Sequence, residues 1–148
     1  MSYVSSNYKQ SSSAPKERWV CAPTWRHEPY STPPPLNVRN GPAYCGQCVS
    51  YVKAVCPLLP NKDRWKKGEA VKNNRDIGEG TVIATFDEDG NYLGHAAIYV
   101  SQSPQGITVW DQYIRTTPPK PIGPRVLRWH NASGSNNGNN YYVVEPRD

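Results

Sequence analysis

The sequence predicts an α+β domain: one short helix followed by an antiparallel sheet of about five strands. Three observations carry that expectation. Helical periodicity is concentrated in residues 46–56, the spacing of apolar residues changes to two from Gly80 onward, and turn-forming dipeptides separate the later segments. The eleven glycines and fifteen prolines, about one residue in six, exclude a long helical bundle. At 148 residues the chain fills one domain with a modest core. Apolar residues make up 36% and the mean hydropathy is −0.75. The longest apolar runs, 82–86 and 96–100, are far too short to span a bilayer as helices. Residues 1–20 lack an apolar h-region, so no uncleaved secretory signal is expected.

Residues 1–40, rich in Ser, Pro and Tyr and containing Pro33-Pro34-Pro35, read as an extended arm that Trp19 and Trp25 anchor to the body formed by residues 41–148. In the helix, Cys48, Tyr51, Val52 and Val55 fall at i, i+3, i+4 and i+7. Gly41 and Pro42 punctuate its entry, and Pro57 ends it by forcing the preceding residue out of the helical region. A second short helix is expected around 65–72. Residues 81–86 then read as a strand, Glu88-Asp89-Gly90-Asn91 as a turn, and 92–101 as the next strand. Ser103-Pro104-Gln105-Gly106 turns the chain into a strand at 107–113. A proline-rich stretch, 118–124, leads to strands at 126–130 and 141–145.

The net charge is +5 and its surplus lies in the first half, where residues 1–80 carry twelve basic and six acidic side chains. Lys62, Arg64, Lys66, Lys67, Lys72 and Arg75 supply much of it. Such a surplus favours anionic partners: nucleic acid, lipid head groups or cell-wall polymer. No RNA-binding signature, zinc-finger spacing or continuous basic helix accompanies it, so nucleic acid is not expected as a partner. Four cysteines, Cys21, Cys45, Cys48 and Cys56, are compatible with zero, one or two disulfides, Cys21–Cys56 among the pairings. Cys45-Gly46-Gln47-Cys48 has the C-x-x-C spacing of zinc and redox sites, but a second ligand pair and a βαβ context are both missing. No metal or cofactor is expected.

A His–Asp pair emerges from the hairpin. If Val100 pairs with Gly106, Tyr99 faces Ile107, Ala97 faces Val109 and His95 faces Asp111, all on one face of the sheet. A register shifted by two would place His95 and Asp111 diagonally, still within reach. A helix laying its Cys48 face on this sheet brings a thiol towards His95. A cysteine in a first helical turn feels the positive end of the dipole, and an adjacent imidazolium lowers its pKa further. Thiolate, imidazole and carboxylate together are the parts of a nucleophilic acyl-transfer site. Each residue alone is more often a structural one; their joint pattern argues for chemistry. Gly94, Ala96 and Ala97 leave room beside His95 for a substrate.

These residues carry a resemblance. Gly46-Gln47-Cys48-Val49-Ser50-Tyr51-Val52 resembles the helix start of CHAP and NlpC/P60 cysteine amidases. Gly94-His95-Ala96-Ala97-Ile98-Tyr99-Val100 resembles their histidine strand, and Ile107-Thr108-Val109-Trp110-Asp111-Gln112 their next strand. Within that superfamily, residues 40–145 look like the second subfamily of type VI secretion amidase effectors. The resemblance implies a papain-like, NlpC/P60-type fold and a peptidoglycan peptidase of antibacterial function. It also implies injection into the periplasm of neighbouring cells by the type VI apparatus, a component of the secretion tube as partner, and a cognate immunity protein as inhibitor. Some arthropods carry domesticated, secreted copies, and an extracellular mature chain of that kind is the alternative. The bond cut would be the D-alanine–meso-diaminopimelate crosslink, with the γ-D-glutamyl–diaminopimelate bond as runner-up.

Carried onto this sequence, the resemblance makes Cys48 the nucleophile, His95 the general base and then acid, and Asp111 the residue that holds the imidazole tautomer, with Gln112 adjacent as a rival for that place. Cys45 is the rival nucleophile, ranked below Cys48. Backbone N–H groups at the helix start, that of Cys48 first, would meet the oxyanion. Gly46, Gln47, Tyr44, Gly94 and Tyr113 are the expected substrate-lining residues. Trp110 and Gln112 alternate away from the Asp111 face and read as core or sheet-surface residues. The chain is expected to act as a monomer without inserting into membranes. Two other classes compete: a non-catalytic, basic, aromatic-rich wall-binding module, and an acyltransferase or deamidase on the same scaffold. Against the acyltransferase stands the lack of any membrane-seeking segment near the site.

Overall fold

The computed structural model describes residues 2–21, 45–113, 119–131 and 134–147. One helix, α1 (Cys48–Val55), is followed by six strands: β1 (Trp65–Ala70), β2 (Val82–Phe86), β3 (Tyr92–Ser103), β4 (Gly106–Tyr113), β5 (Lys120–Arg128) and β6 (Tyr141–Pro146). They form one sheet in the order β1-β6-β2-β3-β4-β5, every neighbouring pair antiparallel. One α-helix on an antiparallel sheet, as seen among the described residues, is the α+β, papain-like arrangement expected from the motifs.

The helix begins two residues later than its periodicity suggested, because Gly46 takes a left-handed φ of 80° and Gln47 an extended one. All eight helical residues are buried, including Ser50 and Lys53, since α1 packs on β3 and β4 and is enclosed by other chain segments. The Lys53 ammonium is accommodated by donating to Asn61 Oδ1 at 2.6 Å.

The second helix expected at 65–72 is strand β1 instead. Its lysines are compatible with either state, but Trp65 is buried and residues 65–70 pair along β6. A Cβ at Gly68 would come within 2.6 Å of the Val143 carbonyl oxygen, an approach only glycine permits in this pairing. Strand pairing thus overrides local helix propensity. The proline-rich stretch expected as a connection lies partly within β5, with Pro124 opposite Trp110. Because β5 is the edge strand, a proline's missing N–H can be tolerated there.

The N-terminal segment packs on the body. Val82 N–H donates to the Tyr3 carbonyl (2.9 Å) and Ser5 N–H to that of Gly80 (2.8 Å). Glu17 and Arg18 exchange backbone hydrogen bonds with Ile122 of β5. Tyr8 packs edge-on against Trp110 at 5.6 Å, and Trp19 and Val20 are buried. Trp25 lies outside the described residues.

Cys21 is disulfide-bonded to Cys45 across 24 residues of sequence, while Cys48 and Cys56 are free. The C-x-x-C sulfurs are therefore not each other's partners, and Cys21 is not joined to Cys56. By limiting the unfolded chain, a bridge of this span contributes about 3 kcal/mol. Reduction with a phosphine is expected to lower the unfolding free energy by about that amount, read as a lower urea midpoint.

Candidate active site

Alternation along β3 and β4 divides their side chains between two faces. Ala96, Ile98 and Trp110 pack in the cluster that includes α1, whereas Ala97, Tyr99, Ile107 and Val109 join a second cluster with Leu127 and Tyr141. His95 and Asp111 share the parity of that second face, so the helix does not lie over them. The thiol reaches the imidazole from the start of α1, passing the strand at Gly94, whose carbonyl oxygen is 3.7 Å from Cys48 Sγ. Gly94 has a φ of 147°, and a Cβ there would meet nothing within 4 Å.

The β3–β4 register differs from the expected one by two residues. Ile98 pairs with Trp110 and Tyr99 with Val109, and after a bulge Ser103 meets Gly106. The tight turn is therefore Pro104-Gln105. Extended in the other direction, this register sets His95 level with Tyr113, and the two rings meet at a tilt of 42° with centroids 4.5 Å apart. Asp111 is thus the diagonal neighbour of His95, and its Oδ2 lies 2.7 Å from His95 Nε2. A diagonal pair on one face still permits the contact. His95 Nδ1 is left facing the thiol side, with no hydrogen-bond partner among the described residues.

Both His95 and Asp111 are 0% exposed and Cys48 is 6% exposed, so their charges act on one another with little screening. Burial alone would push the Cys48 thiol up. The charge of the nearby His95 imidazolium, the Tyr92 hydroxyl and the Ala96 backbone outweigh burial and hold the thiol at about 7. Burial would likewise pull the imidazole down, but the Cys48 thiolate and the Asp111 carboxylate raise it to about 9. Against its own burial, Asp111 is held well below the usual carboxylate range by His95, Arg125 and Lys120. The three residues form a buried thiol–imidazole–carboxylate line.

Tyr92 supplies the second polar contact to the sulfur, its hydroxyl 3.4 Å from Sγ. Its ring is braced edge-on by Trp65 at 5.2 Å. Removing the hydroxyl in Tyr92→Phe is expected to raise the thiol pKa by about one, the worth of one hydrogen bond to a charged group. The pH dependence of Cys48 alkylation by iodoacetamide measures this directly.

Besides Tyr92, two further site residues carried no motif. Arg125 Nη2 lies 2.6 Å from Asp111 Oδ2 and 3.1 Å from His95 Nε2, and the guanidinium sits over the Tyr113 ring at 5.1 Å. The Lys120 ammonium is 3.3 Å from Asp111 Oδ1 and donates to the carbonyls of Asp111, Pro121 and Gly123. Both come from β5, and only its pairing with β4 brings them to Asp111.

Gln112, on the opposite face from Asp111, is a fully buried staple. It accepts from Val20 N–H (2.8 Å) and donates to the carbonyls of Val20 (3.1 Å) and Gln47 (2.7 Å). It therefore fixes the peptide preceding Cys48 and does not touch His95's hydrogen-bonding line. Gly46 is buried, with its N–H donated to Val20, and Gln47 is half-buried at the helix start. Tyr113 packs on His95, and Tyr44 lies outside the described residues. Cys45 is committed to its disulfide, which leaves Cys48 as the free thiol beside His95.

A family model described as domesticated amidase effector 2 matches residues 31–144. A domesticated amidase effector 2 of Ixodes scapularis is 42% identical over 104 residues, covering 67% of this chain and 70% of that protein. A type VI secretion amidase effector 2 protein of Salmonella typhi is 36% identical over 114 residues, covering 67% of this chain and 84% of its own. A solved structure of type 6 secretion amidase effector 2 (Tae2) aligns with a TM-score of 0.61 at 31% identity, over 73% of this chain and 85% of that one. With its fold, its buried thiol–imidazole pair and a family match across most of its length, the chain belongs to the domesticated amidase effector 2 family.

Proposed function

We propose that the protein is a thiol amidase that hydrolyses stem-peptide bonds of bacterial peptidoglycan. The observation that carries this reading is the buried line Cys48–His95–Asp111, with a thiol held at about 7 beside an imidazole at about 9. In the reaction, Cys48 Sγ attacks the peptide carbonyl carbon and negative charge moves to its oxygen. The Cys48 backbone N–H, at the first position of α1, is the candidate donor to that oxyanion. His95 Nδ1–H then protonates the leaving amine as the C–N bond breaks. Water, deprotonated by the same nitrogen, cleaves the thioester and restores the thiol. Asp111 keeps Nε2 protonated and the ring in place. Gly94, Gln47 and Tyr113 surround this centre and are the proposed substrate-lining residues, with Gly46 shaping the turn that presents Cys48.

Family membership supports an antibacterial role, and the motif resemblance favours the D-alanine–meso-diaminopimelate crosslink as the bond cut. Delivery through a type VI apparatus into the target periplasm, or extracellular release as a domesticated form, belongs to the same reading, as does inhibition by an immunity protein in a bacterial setting. Muropeptide profiling of isolated sacculi by liquid chromatography and mass spectrometry tests the proposal. Conversion of crosslinked dimers to tetrapeptide monomers by the wild type, absent with Cys48→Ala, is expected; shortened stems would reassign the bond to γ-D-glutamyl–diaminopimelate. An unchanged profile with sacculus binding retained would leave a wall-binding module.

The ion pair also sets a pH profile. The thiol must lose its proton and the imidazole must keep its own, so kcat/KM is expected to rise through about 7 and fall through about 9. These midpoints belong to the pair as a unit. A profile with a single acidic limb near 4 would instead indicate carboxylate chemistry.

A further inference from the structure

The Tyr92 hydroxyl lies 3.4 Å from Cys48 Sγ, in contact with the atom that must form the new bond. Tyr92 begins β3, and its ring packs against the cluster that includes α1, whereas His95 shares the parity of the opposite face. Hydroxyl and imidazole therefore come to the sulfur from different sides of the strand. The tyrosine ring is held in place. Trp65, which is buried, meets it edge-on at 5.2 Å, and the indole is itself fixed by donating Nε1–H to the Pro60 carbonyl at 2.9 Å. Phe86, opposite Tyr92 in the β2–β3 pairing, is buried in the same cluster. A donor fixed before reaction needs no reorganisation when charge develops beside it.

A thiolate beside a phenol can only accept, so the hydroxyl donates to the ionised sulfur. As Cys48 attacks, a sulfur electron pair forms the S–C bond and the carbonyl π pair moves onto oxygen. Negative charge thus leaves sulfur and appears on an oxygen carried by the same tetrahedral carbon, two bonds away. A donor already in contact with the sulfur is within hydrogen-bond range of that oxygen. Thiolate first and oxyanion second, the two anions of the reaction take the same hydrogen bond in turn.

We infer that Tyr92 is a further catalytic residue, its hydroxyl donating to the tetrahedral oxyanion alongside the Cys48 backbone N–H. The inference rests on the thiol acyl-transfer reading of this site. The phenolic proton stays on Tyr92 throughout. When the C=O re-forms, the C–N pair departs with the amine, which takes its proton from His95 Nδ1, and the hydrogen bond to oxygen relaxes. The bond is stronger to the charged oxygen than to the neutral carbonyl, which is the condition for raising kcat. The two tasks of the hydroxyl differ in sign. Stabilising the thiolate makes each ionised sulfur a weaker nucleophile, whereas stabilising the oxyanion makes its addition to a carbonyl faster.

Tyr92→Phe in the full chain separates them, since it keeps the ring against Trp65 and removes only the oxygen. Two reagents are compared at a pH where Cys48 is ionised in both proteins. Iodoacetamide alkylates the thiolate by displacement at saturated carbon, with no oxyanion; p-nitrophenyl acetate acylates it through one. Cys48→Ala supplies the blank for the other free thiol, Cys56. Alkylation of the variant is expected to be unchanged or up to about threefold faster, and acylation about 100-fold slower. On a soluble crosslinked muropeptide kcat/KM should fall by a similar factor, through kcat. If acylation and alkylation change together, the hydroxyl serves thiol ionisation alone and the inference is overturned. Muropeptide cleavage by the variant at the wild-type rate overturns it as well. A wild type that is acylated by the ester but leaves the muropeptide intact counts against the peptidoglycan reading alone, because the oxyanion donor is read on the ester.

Discussion

Cys48→Ala is expected to abolish hydrolysis, lowering kcat/KM by roughly 10⁴-fold or more, while leaving the protein folded. The side chain is a small buried one at the first position of α1, and alanine is the residue most at ease in a helix. Losing one sulfur atom from a packed site costs about 1 kcal/mol. Activity and stability therefore separate: a chemical-denaturation midpoint close to wild type with activity at background is the expected pair of readings. Residual activity within tenfold of wild type would remove Cys48 from the mechanism. His95 should respond in the same variant. Its imidazole loses the thiolate that helps to raise it, so its titration, followed by NMR, should move down from about 9.

Asp111→Asn is expected to damage both properties. The carboxylate is 0% exposed and is paired with Arg125 at 2.6 Å and Lys120 at 3.3 Å as well as with His95. Asparagine preserves shape but strands two cations beside a buried neutral group. Breaking a buried pair from one side typically costs about 3–5 kcal/mol. On the chemical side, the amide no longer selects the Nε2–H tautomer or supports the imidazolium, and loss of such a partner costs roughly 10²–10⁴ in rate. The unfolding midpoint and kcat/KM should fall together, and the alkaline limb of the pH profile should shift below about 9. If stability fell alone, Asp111 would be a structural counter-ion with no part in positioning His95.

Asp111 also links pH to stability. Its pKa is depressed in the folded state, so it binds a proton less readily there than in the unfolded chain. The stabilisation it contributes is fully present above the unfolded carboxyl range near 4 and is lost as pH falls towards its lower folded value. The Arg125 and Lys120 contacts therefore belong to the acid resistance of the site as well as to its geometry.

Much of the site was legible because strand parity and helix phase are local properties. Cys48 at a helix start and His95 with Asp111 on one sheet face follow from the order of residues alone, and a register error of two leaves parity intact. The same argument failed to place the helix relative to that face. Side-chain alternation relates neighbours on a strand but does not say which face a separate helix covers, so the route of the thiol past Gly94 had to be seen. Tyr92 was passed over because a tyrosine at a strand start carries no motif; its nearness to sulfur depends on how β3 approaches α1.

By itself, then, the sequence determined the α+β class, the helix that carries Cys48 and the period-two strands, because each depends on spacings within about ten residues. Tertiary structure decided what depends on segments far apart in the chain. Pairing with β6 turned residues 65–70 from an expected helix into a strand. The meeting of β5 with β4 set Arg125 and Lys120 on Asp111, and the Gln112 staple joined the arm to the helix start across 92 residues. The choice of Cys45 as the partner of Cys21 belongs to the same group. Such contacts are selected by the free energy of the whole packed domain, in which burial and hydrogen-bond satisfaction outweigh local preference, and no short stretch of residues encodes them.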